Sequence, residues 1–436
     1  MTKFKYSGLI SIAFLFFLQK GVAQNGDTRF ASQCIGILTD VMTHDITAPP
    51  VASRYYVYTL IAFYEACRYE NPKYRSYAGQ LNELGPLPER TPGLQYDWLV
   101  AGAAAFYKTG YTMVFSKDLF KKEWDSVAVY LERRKSAEDV YKRSVEFGER
   151  IALEILKWSK QDHYVSTRSM PRYTPLVTPG SWQQTAPDFM EAVEPYWGQI
   201  RTMSLSRADE IPIAPPSEYM SAEFMYEYKE MLETNRNITK EQKWMADFWD
   251  CNPFATQTVG HLMYSVKKIS PGGHWIGITS QVIKKNKCSL VEAMASYSLV
   301  AVALFDGFIA SWKEKFRSNY IRPITTLQAL VSPTWEPRLQ TPPFPEYPSA
   351  HSVISAASAV VLTSIYGDHY AYTDSVEKPY GVSNRSFHSF YDASKEAAMS
   401  RLYGGIHFRE AIENGSDLGR KIGENVVKKV VLLENK

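Results

Sequence analysis

Ser289 to Pro323 reads SLVEAMASYSLVAVALFDGFIASWKEKFRSNYIRP, and this stretch decides the fold. It opens with Ser289-x-x-Glu292. That is a capping box, in which the serine side chain and the glutamate satisfy each other's backbone N–H groups. Apolar residues then run through Leu304 and Trp312. A helix apolar on every face is one enclosed by other helices. It should end by Ile321, because the residue before a proline is pushed out of the α region and Pro323 follows. Ser289 to Ile309 is also the nearest approach to a membrane span after the N-terminus, but Glu292 and Asp306 interrupt it.

Outward from this helix, the pattern stays helical. Apolar residues recur every three or four positions over Ser53–Tyr69, Asp97–Thr109, Leu119–Arg134 and Ala137–Lys160. Further helices are expected at Ser217–Glu233, Lys240–Trp249, Ser352–Ile365, Ala393–Tyr403 and from about Phe408 to Leu433. No stretch alternates as a β-strand. The expected class is all-α, a large helical-bundle protein. Gln161 to Pro216 is rich in proline and reads as a long surface connection. It suggests an N-terminal helical half over 24–210 and a C-terminal half over 211–436. Gly415, Gly419 and Gly423 fall on one face of the last helix and predict close contact with a neighbouring helix.

Residues 1–23 read as a signal peptide. Lys3 and Lys5 precede the apolar core Leu9–Leu18, and Gly21-Val22-Ala23 supplies small residues for cleavage. The remainder is expected to be soluble, in the periplasm or secreted, with no membrane span. A net charge of +3 gives no electrostatic case for nucleic acid or an acidic membrane surface. Cys34, Cys67, Cys251 and Cys288 permit disulfides but suit buried thiols as well. Oligomeric state is not legible.

Three short segments carry chemistry: KFRSNYIRP at 315–323, PSAH at 348–351 and SRLYGGIH at 400–407. Lys315 and Arg322 are spaced to share one helix face two turns apart, about 10 Å along the axis. Ser349 and Ala350 open a helix, where free N–H groups and the dipole favour an anion. Arg401 offers a planar fork for two oxyanion oxygens. His351 and His407 can divide two tasks, one binding a central atom and the other moving protons. Three cations against a multiply charged anion make a sensible sum. Taken singly, each is more often a solvated charge, a helix cap or a structural histidine. Asp306 can hold Lys315 or an arginine in place, and Trp312 and Phe344 can wall the site. His274, in GGHWIG, reads as a structural histidine after a Gly-Gly turn. The remaining histidines show no partner pattern.

K-x6-RP, PSxH and SR-x5-H, in this order, resemble the signature of the superfamily that joins vanadium-dependent haloperoxidases with type 2 phosphatidic acid phosphatases. Looser resemblance to soluble bacterial vanadium haloperoxidase-like proteins extends to PPVASR at 49–54, GHW at 273–275 and FPEYPS at 344–349. The resemblance implies a fold of two packed helical bundles. It implies that Lys315, Arg322, Ser349, Arg401 and the N–H of Ala350 hold oxyanion oxygens. His407 would be the vanadium ligand, and His351 the general acid–base. The implied cofactor is orthovanadate, and phosphate fits the same site. The implied substrates are hydrogen peroxide and halide, with His351 taking the proton of peroxide and Lys315 polarising it. Two other functions stay open: a soluble acid phosphatase with His407 as nucleophile on a phosphate ester, and a non-catalytic phosphate-binding protein. Two positions depart from the pattern. Ala350 stands where glycine is usual, and Ala411 stands where the phosphatases carry an aspartate four residues after the histidine. Glu410 and Glu413 lie near that position.

Overall fold

The computed structural model describes residues 26–433 apart from 135 and 260. The expected signal peptide lies outside the described residues. Among them the chain is all-α apart from two small hairpins. Helices α1 (Gly26–His44), α2 (Pro49–Cys67), α3 (Trp98–Met113), α4 (Lys117–Glu132) and α5 (Glu138–Ser159) come first. A short α6 (Tyr164–Arg168) starts the long connection. Then follow α7 (Ala222–Arg236), α8 (Lys240–Phe248), α9 (Pro271–Asn286) and α10 (Leu290–Ser318). The last helices are α11 (Pro323–Leu330), α12 (Ala350–Tyr366), α13 (Phe390–Tyr403) and α14 (Arg409–Lys429).

The capping box of α10 is made in both directions, with Glu292 Oε2 accepting from the Ser289 N–H at 2.8 Å. By length and composition α10 would span a membrane, yet nearly all of that stretch is buried inside the protein. It packs against α2, α9, α12 and α14. One continuous apolar core runs through all of them.

The glycine stripe of α14 meets α12 backbone to backbone. A Cβ at Gly415 would lie 2.9 Å from the Ser349 carbonyl oxygen, and one at Gly419 would overlap the carbonyl of Val353. Only residues without a Cβ allow this approach.

Several expectations needed correction. Among the described residues, β1 (Thr256–Val259) pairs antiparallel with β2 (Leu262–Ser265), and β3 (Tyr372–Asp374) with β4 (Arg385–Phe387). Gly272-Gly273 is not a turn. Ser270 caps α9 by accepting from the Gly273 N–H at 3.1 Å, and Pro271 is its first residue. A proline just inside a helix start is pre-organised for it, and this outweighs the two glycines. A Cβ at Gly273 would crowd Ile269 at 2.7 Å, so the glycine serves packing. Helix α7 starts at Ala222, because Ser221 is its cap. All four cysteines are buried free thiols.

Candidate active site

Helix α10 ends earlier than Pro323 alone requires. Asn319 adopts a left-handed conformation and its N–H bonds to the Lys315 carbonyl at 2.8 Å. Arg322 is then the N-cap of α11, with Pro323 its first residue. Lys315 and Arg322 therefore do not share a helix face. They converge because the chain turns between them.

Lys315 is fully buried, and its ammonium donates to the carbonyls of Pro345 (2.9 Å), Glu346 (2.9 Å) and Pro348 (2.6 Å). Three donors meet three acceptors, so the charge is satisfied internally. Burial, and then the neighbouring Arg322, push its pKa well below the usual lysine value. Lys315 thus holds the 345–348 loop.

Arg322 is also fully buried. Its Nε donates to the Phe344 carbonyl (2.9 Å), and Nη1 donates to the Ile406 carbonyl (2.9 Å) and to His407 Nε2 (3.1 Å). Its Nη2 has no partner. Burial lowers its pKa to about 10.

His407 follows the break at the end of α13. Gly405, at φ +76°, makes the turn that a Cβ would strain. The histidine's two nitrogens are distinguished by their neighbours. Arginine can only donate, so Nε2 is an acceptor. Nδ1 therefore carries the proton and donates to Glu346 Oε1 at 2.8 Å. The Phe408 N–H donates to the same oxygen at 2.9 Å. Burial first, then Arg322, Lys315 and Arg401, hold the His407 pKa well below its ordinary value. The ring is neutral, with a lone pair on Nε2.

Glu346 escaped the sequence reading. It is wholly buried, its Oε2 has no partner, and burial pushes its pKa up to about 8. The signal available was a single carboxylate between two prolines in an otherwise apolar loop, FPEYP. Glu346 takes the place at His407 that the sequence left open. Glu410 instead accepts from the Ser217 N–H, and Glu413 pairs with Arg409. Ala411 contributes its carbonyl to the Ser349 N–H at 3.0 Å.

His351 lies in the first turn of α12 with Nε2 buried and unpartnered. Burial, then Arg401 and His274, depress its pKa. Arg401, in the last turn of α13, donates from Nη2 to the Trp249 carbonyl (2.7 Å) and from Nε to Ser400 Oγ (3.0 Å). Ala350 is the first residue of α12 and lines the cavity, and its helical backbone shows that alanine meets no conformational obstacle here. Ser349 caps α12 through Ser352 N (3.3 Å) and accepts from Ser352 Oγ (2.8 Å), so its hydroxyl serves the helix.

His351, Arg401, His407, Ala350, Trp312 and Phe344 surround a small cavity of about 50 Å³. Trp312 and Phe344 pack at 4.9 Å between ring centres and form its apolar wall. Arg322, Lys315 and Ser349 stand behind this lining. Asp306 is elsewhere. Its carboxylate accepts from the N–H groups of Met203 (2.6 Å), Ser204 (2.8 Å) and Leu205 (3.2 Å) and from Ser204 Oγ (2.7 Å). It anchors the long connection to α10 and supports neither Lys315 nor an arginine, because the connection supplies nearer donors.

The cavity thus brings two buried histidines of depressed pKa together with Arg401, and Arg322 stands behind them with one unpartnered donor. Residues 295–435 match the family profile described as the VCPO second helical-bundle domain. The structure is similar to that of a bacterial vanadium-dependent iodoperoxidase, with TM-score 0.87 and 38% identity over 94% of this chain and 98% of that one. It also resembles a bacterial vanadium-dependent chloroperoxidase. The holo form gives TM-score 0.66 at 16% identity over 88% and 93% of the two chains, and the apo form 0.64 at 15% over 87% and 92%. These two similarities bear on the fold. No curated protein sequence matches the chain. The chain belongs to the vanadium-dependent haloperoxidase family.

Proposed function

We propose that this chain oxidises halide with hydrogen peroxide at a vanadate held on His407, with iodide the favoured halide, and that it works outside the cytoplasm after removal of residues 1–23. The observation that carries this reading is the tautomer of His407. Glu346 accepts a hydrogen bond from Nδ1–H and so leaves the Nε2 lone pair at the cavity. A carboxylate behind a ligating histidine fixes the ring and raises its basicity.

The donor set fits a bound oxyanion. Arg322 Nη2 and His351 Nε2 are buried without partners, and Arg401 lines the cavity. At the start of α12 the Ala350 and His351 N–H groups have no acceptor within the helix. Bound vanadate supplies Lewis-acid activation of peroxide without changing oxidation state. Arg322 and Arg401 bind the oxygens, and His351, held neutral, accepts the proton that peroxide gives up. Trp312 and Phe344 exclude bulk water. Lys315 acts at one remove, by fixing the carbonyls of the loop that carries Glu346. Iodide is favoured because a bacterial iodoperoxidase shares 38% sequence identity with this chain.

Glu346 also supports a second reading. A carboxylate on Nδ1 is what a phosphohistidine nucleophile needs, so Ala411 is no obstacle to phosphatase chemistry. One assay separates the two. Peroxide-dependent oxidation of iodide and bromide is measured with and without orthovanadate, beside p-nitrophenyl phosphate hydrolysis, for wild type and His407→Ala. Vanadate-dependent iodide oxidation lost in the variant is expected. Phosphate release inhibited by vanadate, without halide oxidation, would overturn the proposal. Sequencing the N-terminus of the exported protein tests cleavage after residue 23.

A further inference from the structure

Beside the cavity, three chain segments bring a thiol, an imidazole and a carboxylate together. Cys251 follows α8, His274 lies in the first turn of α9, and Glu377 follows β3. All three are buried. His274 Nδ1 is 3.3 Å from Cys251 Sγ and 3.2 Å from Glu377 Oε1, and Sγ is 3.5 Å from the same Oε1. The opposite nitrogen, Nε2, is 2.8 Å from Asp374 Oδ2.

The triangle has the dimensions of one face of a tetrahedral zinc site. Bond lengths of about 2.0–2.1 Å to nitrogen, 2.0–2.2 Å to oxygen and 2.3 Å to sulfur set ligand separations near 3.3–3.6 Å. Asp374 supplies the second requirement. It accepts a hydrogen bond from Nε2–H and so turns Nδ1 toward the thiol and the carboxylate, as a carboxylate behind a zinc-ligating histidine does. Burial disfavours a charged ring, yet Asp374 and then Cys251 raise the His274 pKa well above its ordinary value, so in the metal-free protein an Nδ1 proton faces Glu377 and zinc would take that proton's place.

We propose that Cys251, His274 and Glu377 bind a zinc ion, separate from the oxyanion site, that braces the active-site wall. Zinc suits this donor set because thiolate and imidazole disfavour magnesium and calcium. On binding, the Cys251 thiol proton leaves, as does any proton on Nδ1. One position remains for solvent. The ion joins the loop after α8, α9 and the β3–β4 hairpin. Trp249 stacks on the His274 ring at 4.7 Å, while its carbonyl holds Arg401. The brace therefore reaches an oxyanion-binding arginine through one residue.

The test uses the full-length chain, equilibrated with zinc and dialysed, with zinc and vanadium counted separately by elemental analysis. Wild type and His407→Ala are expected to retain stoichiometric zinc. Cys251→Ser and Glu377→Gln are expected to lose it on the same dialysis. Cobalt substitution should give a near-ultraviolet thiolate charge-transfer band in wild type that Cys251→Ser abolishes. Folded wild type that retains no zinc and shows no such cobalt band would overturn the proposal. So would equal zinc retention by Cys251→Ser. The wild-type result decides even if the variants fail to fold.

Discussion

Two buried arginine clusters in this molecule are built on opposite principles. In the N-terminal half, Arg54 donates to Asp162 Oδ2 (2.6 Å) and to the Ser159 carbonyl (2.9 Å), and Tyr58 donates to the same Asp162 oxygen (2.9 Å). Arg201 completes this cluster through Tyr58 Oη, the Trp158 carbonyl and Glu83. Two cations meet two carboxylates, and Arg201 Nε is the one nitrogen of the pair left without a partner. Around the cavity Arg401 lies in the wall and Arg322 and Lys315 stand behind it, with one buried carboxylate, Glu346, bonded to His407. A buried charge that is paired holds structure together. A buried surplus of positive charge with unspent donors costs stability until an anion arrives. The first cluster serves the fold, and the second is the one the proposed function would use to hold an anion.

The sharpest test of this contrast is a pair of alanine variants. Arg54→Ala leaves Asp162 buried and should cost about 3–5 kcal/mol of unfolding free energy, read by denaturant titration, with little change in vanadate affinity per folded molecule. Arg322→Ala should do the reverse and weaken vanadate binding by about 2–5 kcal/mol, as for removal of one partner of a buried charged contact. Equal stability losses from both variants would erase the distinction.

Glu346→Ala comes next. Without its acceptor His407 loses the fixed tautomer, and activity or vanadate affinity should fall about 10- to 100-fold. Glu346→Gln keeps an acceptor at Oε1 and should recover much of the loss. If Gln and Ala behave alike, charge rather than tautomer control is the role of Glu346.

Asp306→Asn is expected to cost about 1–3 kcal/mol of stability by leaving donors of residues 203–205 poorly matched. Vanadate affinity should be unchanged. A shift in affinity would restore Asp306 to the site.

The smallest expected effect is on pH. His351 and His407 have depressed pKa values in the folded state, so their contribution is present above the ordinary value of about 6.5 and is lost as pH falls below it. Glu346, raised to about 8, acts in the opposite sense, and its contribution is lost as pH rises through that value. Thermal midpoints of the vanadate-free protein should fall on both flanks, and His351→Gln should soften the acid flank. An acid flank identical in wild type and variant would show that His351 is not titrating there.

The fold and the cavity histidines were legible because their signals are local. A capping box, an unbroken apolar run and a glycine every fourth position are read within one helix. His351, Arg401 and His407 sit in short motifs at helix ends. What was missed depends on partners distant in sequence. Asp306 bonds to residues 203–205, over a hundred positions away. His274 was read as structural, and its partner Asp374 lies a hundred positions on. The three loop carbonyls that converge on Lys315 lie 30 to 33 positions away, and no local pattern announces them. Glu346 has no periodic neighbours, and only the folded loop reveals it.

The glycine stripe of α14 has a consequence for how this protein tolerates change. His351 rides on α12, and His407 lies just ahead of α14. The spacing between the two cavity histidines is therefore gauged by backbone contact at Gly415 and Gly419, reinforced by the Ser349 N–H to Ala411 carbonyl bond. A methyl group added at either glycine would wedge the helices apart and be felt as a change in reaction geometry, though it touches no substrate. In a survey of random variants, these two glycines should be as intolerant as the histidines themselves.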